Sequence, residues 1–136
     1  MKDKIHFQLT TAEGTVCDEM CSYVLAPVTG GDIGILAGHA PMIASLGEGV
    51  IKYRTDGKDH FAAVSGGVLS VSDNELIILA RSAEKAESID LARAQAAEAR
   101  ARERIRSRSS EWDMARAESS LHRALAREKA YSLINR

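Results

Sequence analysis

Six arginines stand out by their spacing: Arg93, Arg100 and Arg104, then Arg116, Arg123 and Arg127. Each set steps by seven and then four residues, and at 3.6 residues per turn those intervals keep three side chains on one face of a helix. Two antiparallel helices carrying them would present facing guanidinium rows, which repel unless an anion lies between. A nucleoside triphosphate has the matching chemistry, since guanidinium forks fit phosphate oxygens and a carboxylate can accept from an adenine amino group. The same spacing also suits a solvated face whose charge is balanced by Asp90, Glu98 and Glu118, and spacing alone leaves both readings open.

No other cluster offers chemistry. Gly30-Gly31-Asp32-Ile33-Gly34 is glycine-rich, but no Gly-Lys-Ser/Thr follows it and no G-x-G-x-x-G opens a helix, so it reads as a turn between strands. His39 stands in Gly38-His39-Ala40-Pro41, far in sequence from His6, His60 and His122, with no repeated carboxylate–histidine spacing. Cys17 and Cys21 are too few for a disulfide framework and lack the further ligands of a structural zinc site, so they read as reduced thiols packed in a strand. No catalytic residue and no metal site is expected.

The elements that must position these residues divide the 136-residue chain in two. Residues 1–80 carry five basic against ten acidic side chains, a balance of −5, and the remainder thirteen against nine, a balance of +4. All ten glycines and both prolines lie at or before Gly67. Short apolar alternations between turn signals predict strands near 4–10, 14–26, 33–36, 41–46, 49–55, 59–65, 67–72 and 75–80. Asp56-Gly57 and Asp73-Asn74 predict tight hairpins, and Gly66-Gly67 predicts a bulge or a close backbone approach. Beyond Arg81 the pattern is helical. Ser88 reads as the N-cap of a helix over about 89–106, and Ser110-Glu111-Trp112-Asp113 as the capping box of a second helix over about 111–133. The apolar stripe of this hairpin is mostly alanine, which predicts marginal docking and a moving part. No apolar stretch is long enough to span a membrane, and nothing at the N-terminus reads as a signal peptide.

Three blocks, Gly34-Ile35-Leu36-Ala37-Gly38-His39-Ala40-Pro41-Met42, Ala63-Val64-Ser65-Gly66-Gly67-Val68-Leu69-Ser70-Val71 and Ala83-Glu84-Lys85-Ala86-Glu87-Ser88-Ile89-Asp90, resemble successive signatures of the epsilon subunit of bacterial F-type ATP synthase. Ala37 departs from the family's usual proline. The resemblance implies a β-sandwich of about ten strands (1–84) followed by an antiparallel two-helix hairpin (85–136), in a non-catalytic rotor subunit peripheral to the cytoplasmic face of the membrane. It implies contact with the gamma subunit and the c-subunit ring through Gly31, Asp32, His39, Ala40, Pro41 and Met42. The extended hairpin would reach the alpha and beta subunits and inhibit ATP hydrolysis. Ile89-Asp90-Leu91-Ala92-Arg93-Ala94 matches the family's nucleotide motif, so Glu84, Ile89, Asp90, Arg93, Ala94, Arg100, Arg123 and Arg127 are the expected contacts of ATP, a regulatory ligand of the compact state. The alternatives are a coupling subunit without meaningful ATP binding and an arginine-rich nucleic-acid-binding module. The interspersed acids and scarce aromatics count against the second, and a free-standing ATP-hydrolysing enzyme lacks its phosphate loop.

Overall fold

The computed structural model describes residues 3–107 and 111–134, the side chains of Glu111 and Trp112 apart. Eight strands come first: β1 Ile5–Thr11, β2 Gly14–Cys21, β3 Tyr23–Val28, β4 Gly31–Leu36, β5 Met42–Leu46, β6 Gly49–Thr55, β7 Lys58–Ser72 and β8 Glu75–Lys85. A 3-10 turn, Ala86–Ser88, leads to helices α1 (Leu91–Ser107) and α2 (Glu111–Leu133). A β-sandwich followed by a helical hairpin is the expected architecture. The eight strands stand against an expected ten or so, and the difference closes if the two long strands, β7 and β8, are each counted twice.

Those two strands run through both layers. β7 pairs with β6 from Thr55↔Lys58 to Gly49↔Val64, then with β5 from Leu46↔Gly67 to Met42↔Val71, in one continuous register. β8 follows β7 antiparallel from Ser72↔Glu75 to Ala62↔Lys85. The strands expected at 59–65 and 67–72 are therefore two halves of one bent strand. β1, parallel to β8, and β2 extend one half of this ribbon, and β3 and β4 extend the other from β6. The strand expected over 14–26 is instead two, because the chain crosses between layers at Ser22, whose N–H donates to the Arg54 carbonyl at 2.9 Å.

The bend lies at Gly66 and Gly67, with φ of 58° and 133°. A Cβ on Gly67 would collide with the Leu79 carbonyl oxygen, and one on Gly66 with the Arg81 guanidinium. The β7–β8 register passes through without a shift, so of the two expectations the close backbone approach is the one realised. Both expected hairpin turns have two consecutive positive φ values, 53° and 75° at Asp56-Gly57 and 49° and 62° at Asp73-Asn74, as a type I′ turn requires.

Alternation buries Ile5, Phe7 and Leu9 of β1 against Val24, Ile35, Ile51, Leu69, Val71, Leu76 and Ile78. Each large aliphatic side chain so buried contributes about 1.5–3 kcal/mol. Cys17 and Cys21 are buried free thiols in this core. Burial pushes the Cys21 thiol up to about 12 and raises that of Cys17, so neither is a nucleophile near neutral pH.

The first helix begins differently from the sequence expectation, while the hairpin docks largely through alanine, as expected. Ser88 closes the 3-10 turn, and the cap is Asp90, whose Oδ1 accepts the Arg93 backbone N–H at 3.1 Å. Ser110 of the expected capping box falls outside the described residues. Of the larger hairpin side chains, Ile89 is buried while Leu125 is exposed. Ala126 and Ala130 of α2 instead pack with Ala63, Ala86 and Ile89, flanked by Val50, Phe61 and Tyr131. The helix thus rests on the sandwich almost entirely through methyl groups.

The bend yields a stability test. Gly67→Ala places its Cβ against backbone that cannot move aside and is expected to cost about 3 kcal/mol or more. Gly57→Ala, with open space around it, is expected to cost about 1 kcal/mol. Urea unfolding of the full chain compares the two; equal costs would contradict the close approach as the constraint.

Candidate functional site

β8 leaves the sandwich as Ser82, Ala83 and Glu84, runs into the 3-10 turn, and α1 starts one residue after Ile89-Asp90. α2 returns antiparallel beside α1, and the two helices with the end of β8 enclose a cleft of about 550 Å³. Glu84, Asp90, Arg93, Ala94, Arg100, Arg123 and Arg127 line it. Seven of the eight residues expected to meet a nucleotide thus share one cavity. The eighth, Ile89, is buried behind it among Ala126 and Ala130, where it holds the cleft's base against α2.

The two arginine rows do face one another. Arg93 and Arg100 of α1 lie opposite Arg127 and Arg123 of α2, and Arg104 and Arg116 line a second cleft of about 570 Å³ whose wall also includes Arg123. Of the three acids expected to balance them, only Asp90 lines the first cleft. Asp90 spends one oxygen on the helix cap, Glu98 pairs with Arg102 at 2.6 Å, and Glu118 is exposed. Glu84 joins Asp90 there, forming an ion pair with Arg127 Nε at 3.2 Å across the gap between sandwich and hairpin.

Arg123 is fixed by donation to Ser119 Oγ at 2.8 Å and Ser120 Oγ at 3.0 Å. Arg93 and Arg100 make no side-chain ion pair or hydrogen bond among the described residues. Arg81, draped over Gly66, adds a fifth guanidinium to the cleft, against three carboxylates, those of Glu13, Glu84 and Asp90. The floor is polar as well: Ser82 Oγ donates to the buried Ser65 Oγ at 3.1 Å. A concave site with excess guanidinium and hydroxyl donors can take a polyanion. With Asp90 Oδ2 left over from the cap, it can also accept from one N–H donor.

The second set of expected residues is divided. Gly31 and Asp32 are exposed at the tip of the β3–β4 hairpin, where Val28 separates Gly31 from Leu46 of β5, whereas His39 to Met42 follow the far end of β4 beside the Asn74 turn. They form two patches separated by the length of that strand, roughly 17 Å at 3.3 Å per residue. His39 Nδ1 donates to the Ala40 carbonyl at 2.7 Å. Asn74 ties the loop down, accepting from Gly38 N–H at 3.1 Å and donating to the Lys4 carbonyl at 2.7 Å. The loop is thereby anchored without the proline that Ala37 replaces.

Two features escaped sequence reasoning. Glu48, between β5 and β6, clasps α2 by accepting from Ser119 Oγ at 3.2 Å and facing His122 Nδ1 at 3.4 Å; nothing in Gly47-Glu48-Gly49 signals this. The outer face of the sheet exposes Ile43 at 78%, Leu79 at 55% and Val68 at 46%, with Val68 and Leu79 directly opposite in register. The signal was present in Val68-Leu69 and Ile77-Ile78-Leu79, where consecutive apolar residues in antiparallel strands load both faces. Among the described residues no cluster could hold a metal ion and no helix is long and apolar enough to cross a membrane.

Residues 4–86 match the family described as ATP synthase, delta/epsilon chain, beta-sandwich domain, and residues 87–132 match its long alpha-helix domain. Similar curated proteins are the ATP synthase epsilon chains of Nitratidesulfovibrio vulgaris, 42% identical over 93% of this chain and 95% of the relative, and of Symbiobacterium thermophilum, 46% identical over 90% and 88%. Among solved structures, the chain resembles one in the Euglena gracilis mitochondrial ATP synthase OSCP/F1/c-ring assembly, at 25% identity, a TM-score of 0.82, and coverage of 94% of this chain and 81% of the other. A chain of the Tetrahymena thermophila central stalk and c-ring shares the fold at 15% identity, with a TM-score of 0.61 and coverage of 96% and 98%.

The Asp90 cap can be tested apart from any ligand. Asp90→Ala is expected to weaken the hairpin by about 1 kcal/mol, and Asp90→Asn, which keeps a capping oxygen, by a few tenths. Thermal unfolding followed by helical circular dichroism reads both; equal losses would show that charge, not the cap, is what Asp90 supplies.

Proposed function

This chain belongs to the ATP synthase delta/epsilon family as a non-catalytic, epsilon-type component of the central stalk, and on that premise we propose that its hairpin is a nucleotide-sensing regulatory unit. ATP occupies the cleft between β8, α1 and α2, with its phosphates on Arg93, Arg100, Arg123 and Arg127 and its adenine amino group on Asp90 or Glu84. The observation that carries this reading is the convergence of four arginines from two helices on one cavity, two of them without a side-chain partner among the described residues.

Like charges so placed oppose the compact hairpin, and the alanine contact beneath them supplies little to offset that. A polyanion reverses the sign. ATP can favour the compact form only by binding it better than the extended one. At 100 times its dissociation constant it would add about 2.7 kcal/mol, a shift of roughly a hundredfold in the ratio. Released, the hairpin (85–136) extends along gamma toward the alpha and beta subunits and blocks hydrolysis. The sandwich (1–84) stays on the rotor and couples ion-driven rotation to synthesis at the cytoplasmic face of a bacterial membrane. Its apolar strip at Ile43, Val68 and Leu79 and the patch at His39, Ala40, Pro41 and Met42 serve gamma, and the acidic tip at Gly31 and Asp32 serves the c-subunit ring.

Calorimetric titration of the isolated chain with ATP tests the nucleotide reading, with GTP as the comparison. One-site binding is expected to fall at least tenfold in Arg100→Gln, while the sandwich's cooperative unfolding is unchanged. Absence of binding at millimolar ATP would leave a coupling subunit whose hairpin answers to another signal.

A further inference from the structure

The seam between α1 and α2 is lined with alanine, Ala94 and Ala101 on one side and Ala117 and Ala124 on the other, all buried. Two acids interrupt it. Glu98, one turn from both Ala94 and Ala101, meets Glu128, one turn beyond Ala124, within hydrogen-bonding reach across the seam. Glu98 Oε2 already accepts from Arg102 Nε at 2.6 Å. Glu128 Oε2 is shut from solvent and has no hydrogen-bond partner among the described residues. If both acids were ionised, two acceptors would confront each other in a contact otherwise made of methyl groups, and one buried oxygen would be left without a hydrogen bond.

A single proton removes the clash, because it turns an acceptor–acceptor contact into a donor–acceptor pair. We propose that closing the hairpin is coupled to uptake of one proton held between Glu98 and Glu128, so that its release loosens the α1–α2 seam.

The surroundings decide which acid carries the proton. Arg102, and next the hydrogen bond with Glu128, hold the Glu98 carboxyl below the usual carboxylate range. Burial, and next the bond to Glu98, push Glu128 up, with Arg102 the one opposing influence. Among the described residues these are the charged groups acting on the pair; Glu98 and Arg102 come from α1, Glu128 from α2, and none comes from the sandwich.

The pH window follows from the two directions. The raised group, Glu128, contributes stability that is complete below its ordinary 4.5 and is lost as pH rises through its elevated value. The lowered group, Glu98, contributes above 4.5 and loses its share only as pH falls through its depressed value. The seam is tightest near the ordinary glutamate value and slackens toward neutrality. Arg100 and Arg123 reach the first cleft from opposite sides of this seam, so opening it separates the cleft's walls, yet the proton pair itself requires no nucleotide.

Carboxyl-carbon NMR of the full chain labelled at glutamate, together with amide exchange across α1 and α2 between pH 4.5 and 8, tests the proposal without nucleotide. Glu128 is expected to titrate above the ordinary glutamate value. Protection factors along the seam should fall over the same interval, tenfold for each pH unit of that elevation. Glu128→Gln carries a permanent donor and should abolish this pH dependence; Glu98→Gln, an independent check should the first variant fail to close, should lower the pH at which Glu128 titrates, burial alone still holding it up. Titration of Glu128 at or below the ordinary value in the unmodified chain, or pH dependence surviving in Glu128→Gln, would overturn the proposal.

Discussion

The close approach of β7 to β8 at Gly67 is the constraint on which the rest depends. With a side chain there, β7 could not pass the Leu79 carbonyl, and two long strands could not turn from one layer into the other. The bend gives the sandwich its two faces at once. It also builds the floor of the cleft, since Ser65, Arg81 and Ser82 flank the glycine pair and line the cavity into which the arginines point. Core packing and site geometry therefore share one backbone feature, and the end of β8 delivers Glu84 to Arg127 because the strand continues past that bend.

The hairpin is held by a different balance. Its contacts with the sandwich and with itself are largely alanine methyls, which bury little area and release cheaply. Its polar attachments are few and partly solvated: Glu84 to Arg127, and Glu48 to Ser119 and His122. Against them stand facing guanidinium groups and two acids in one seam. Each of these conflicts would be relieved by a small charged species, a polyanion in the cleft or a proton between the acids. Residues with unfavourable charges at close quarters are expected where an element must respond to a ligand rather than stay fixed.

Much of this was legible before the fold was known. The turn pairs Asp56-Gly57 and Asp73-Asn74 declared their geometry because few residues tolerate consecutive positive φ values. The seven-and-four arginine steps declared their faces because helical periodicity is rigid. Strand ends were less visible: Ser22 breaks an apparently continuous run, and Gly66-Gly67 joins two apparent strands, because a layer crossing is set by partners distant in sequence. The cap moved from Ser88 to Asp90 because both side chains suit the role and the 3-10 turn chose between them. Glu128 was readable in principle as a lone acid on the alanine face of α2, but its meaning depends on Glu98, which only the pairing of the helices supplies.

The claim at the centre of this account is that the cleft of the compact hairpin receives ATP. Backbone amide NMR of the labelled chain during ATP addition tests it most directly, because it reads position as well as affinity. Saturable shifts at one equivalent are expected, confined to Ser82–Glu84, Asp90–Ala94, Arg100 and Arg123–Arg127, with Gly31–Met42 unmoved. Shifts centred on the sheet face at Ile43 and Leu79, or none at saturating ATP, would contradict it.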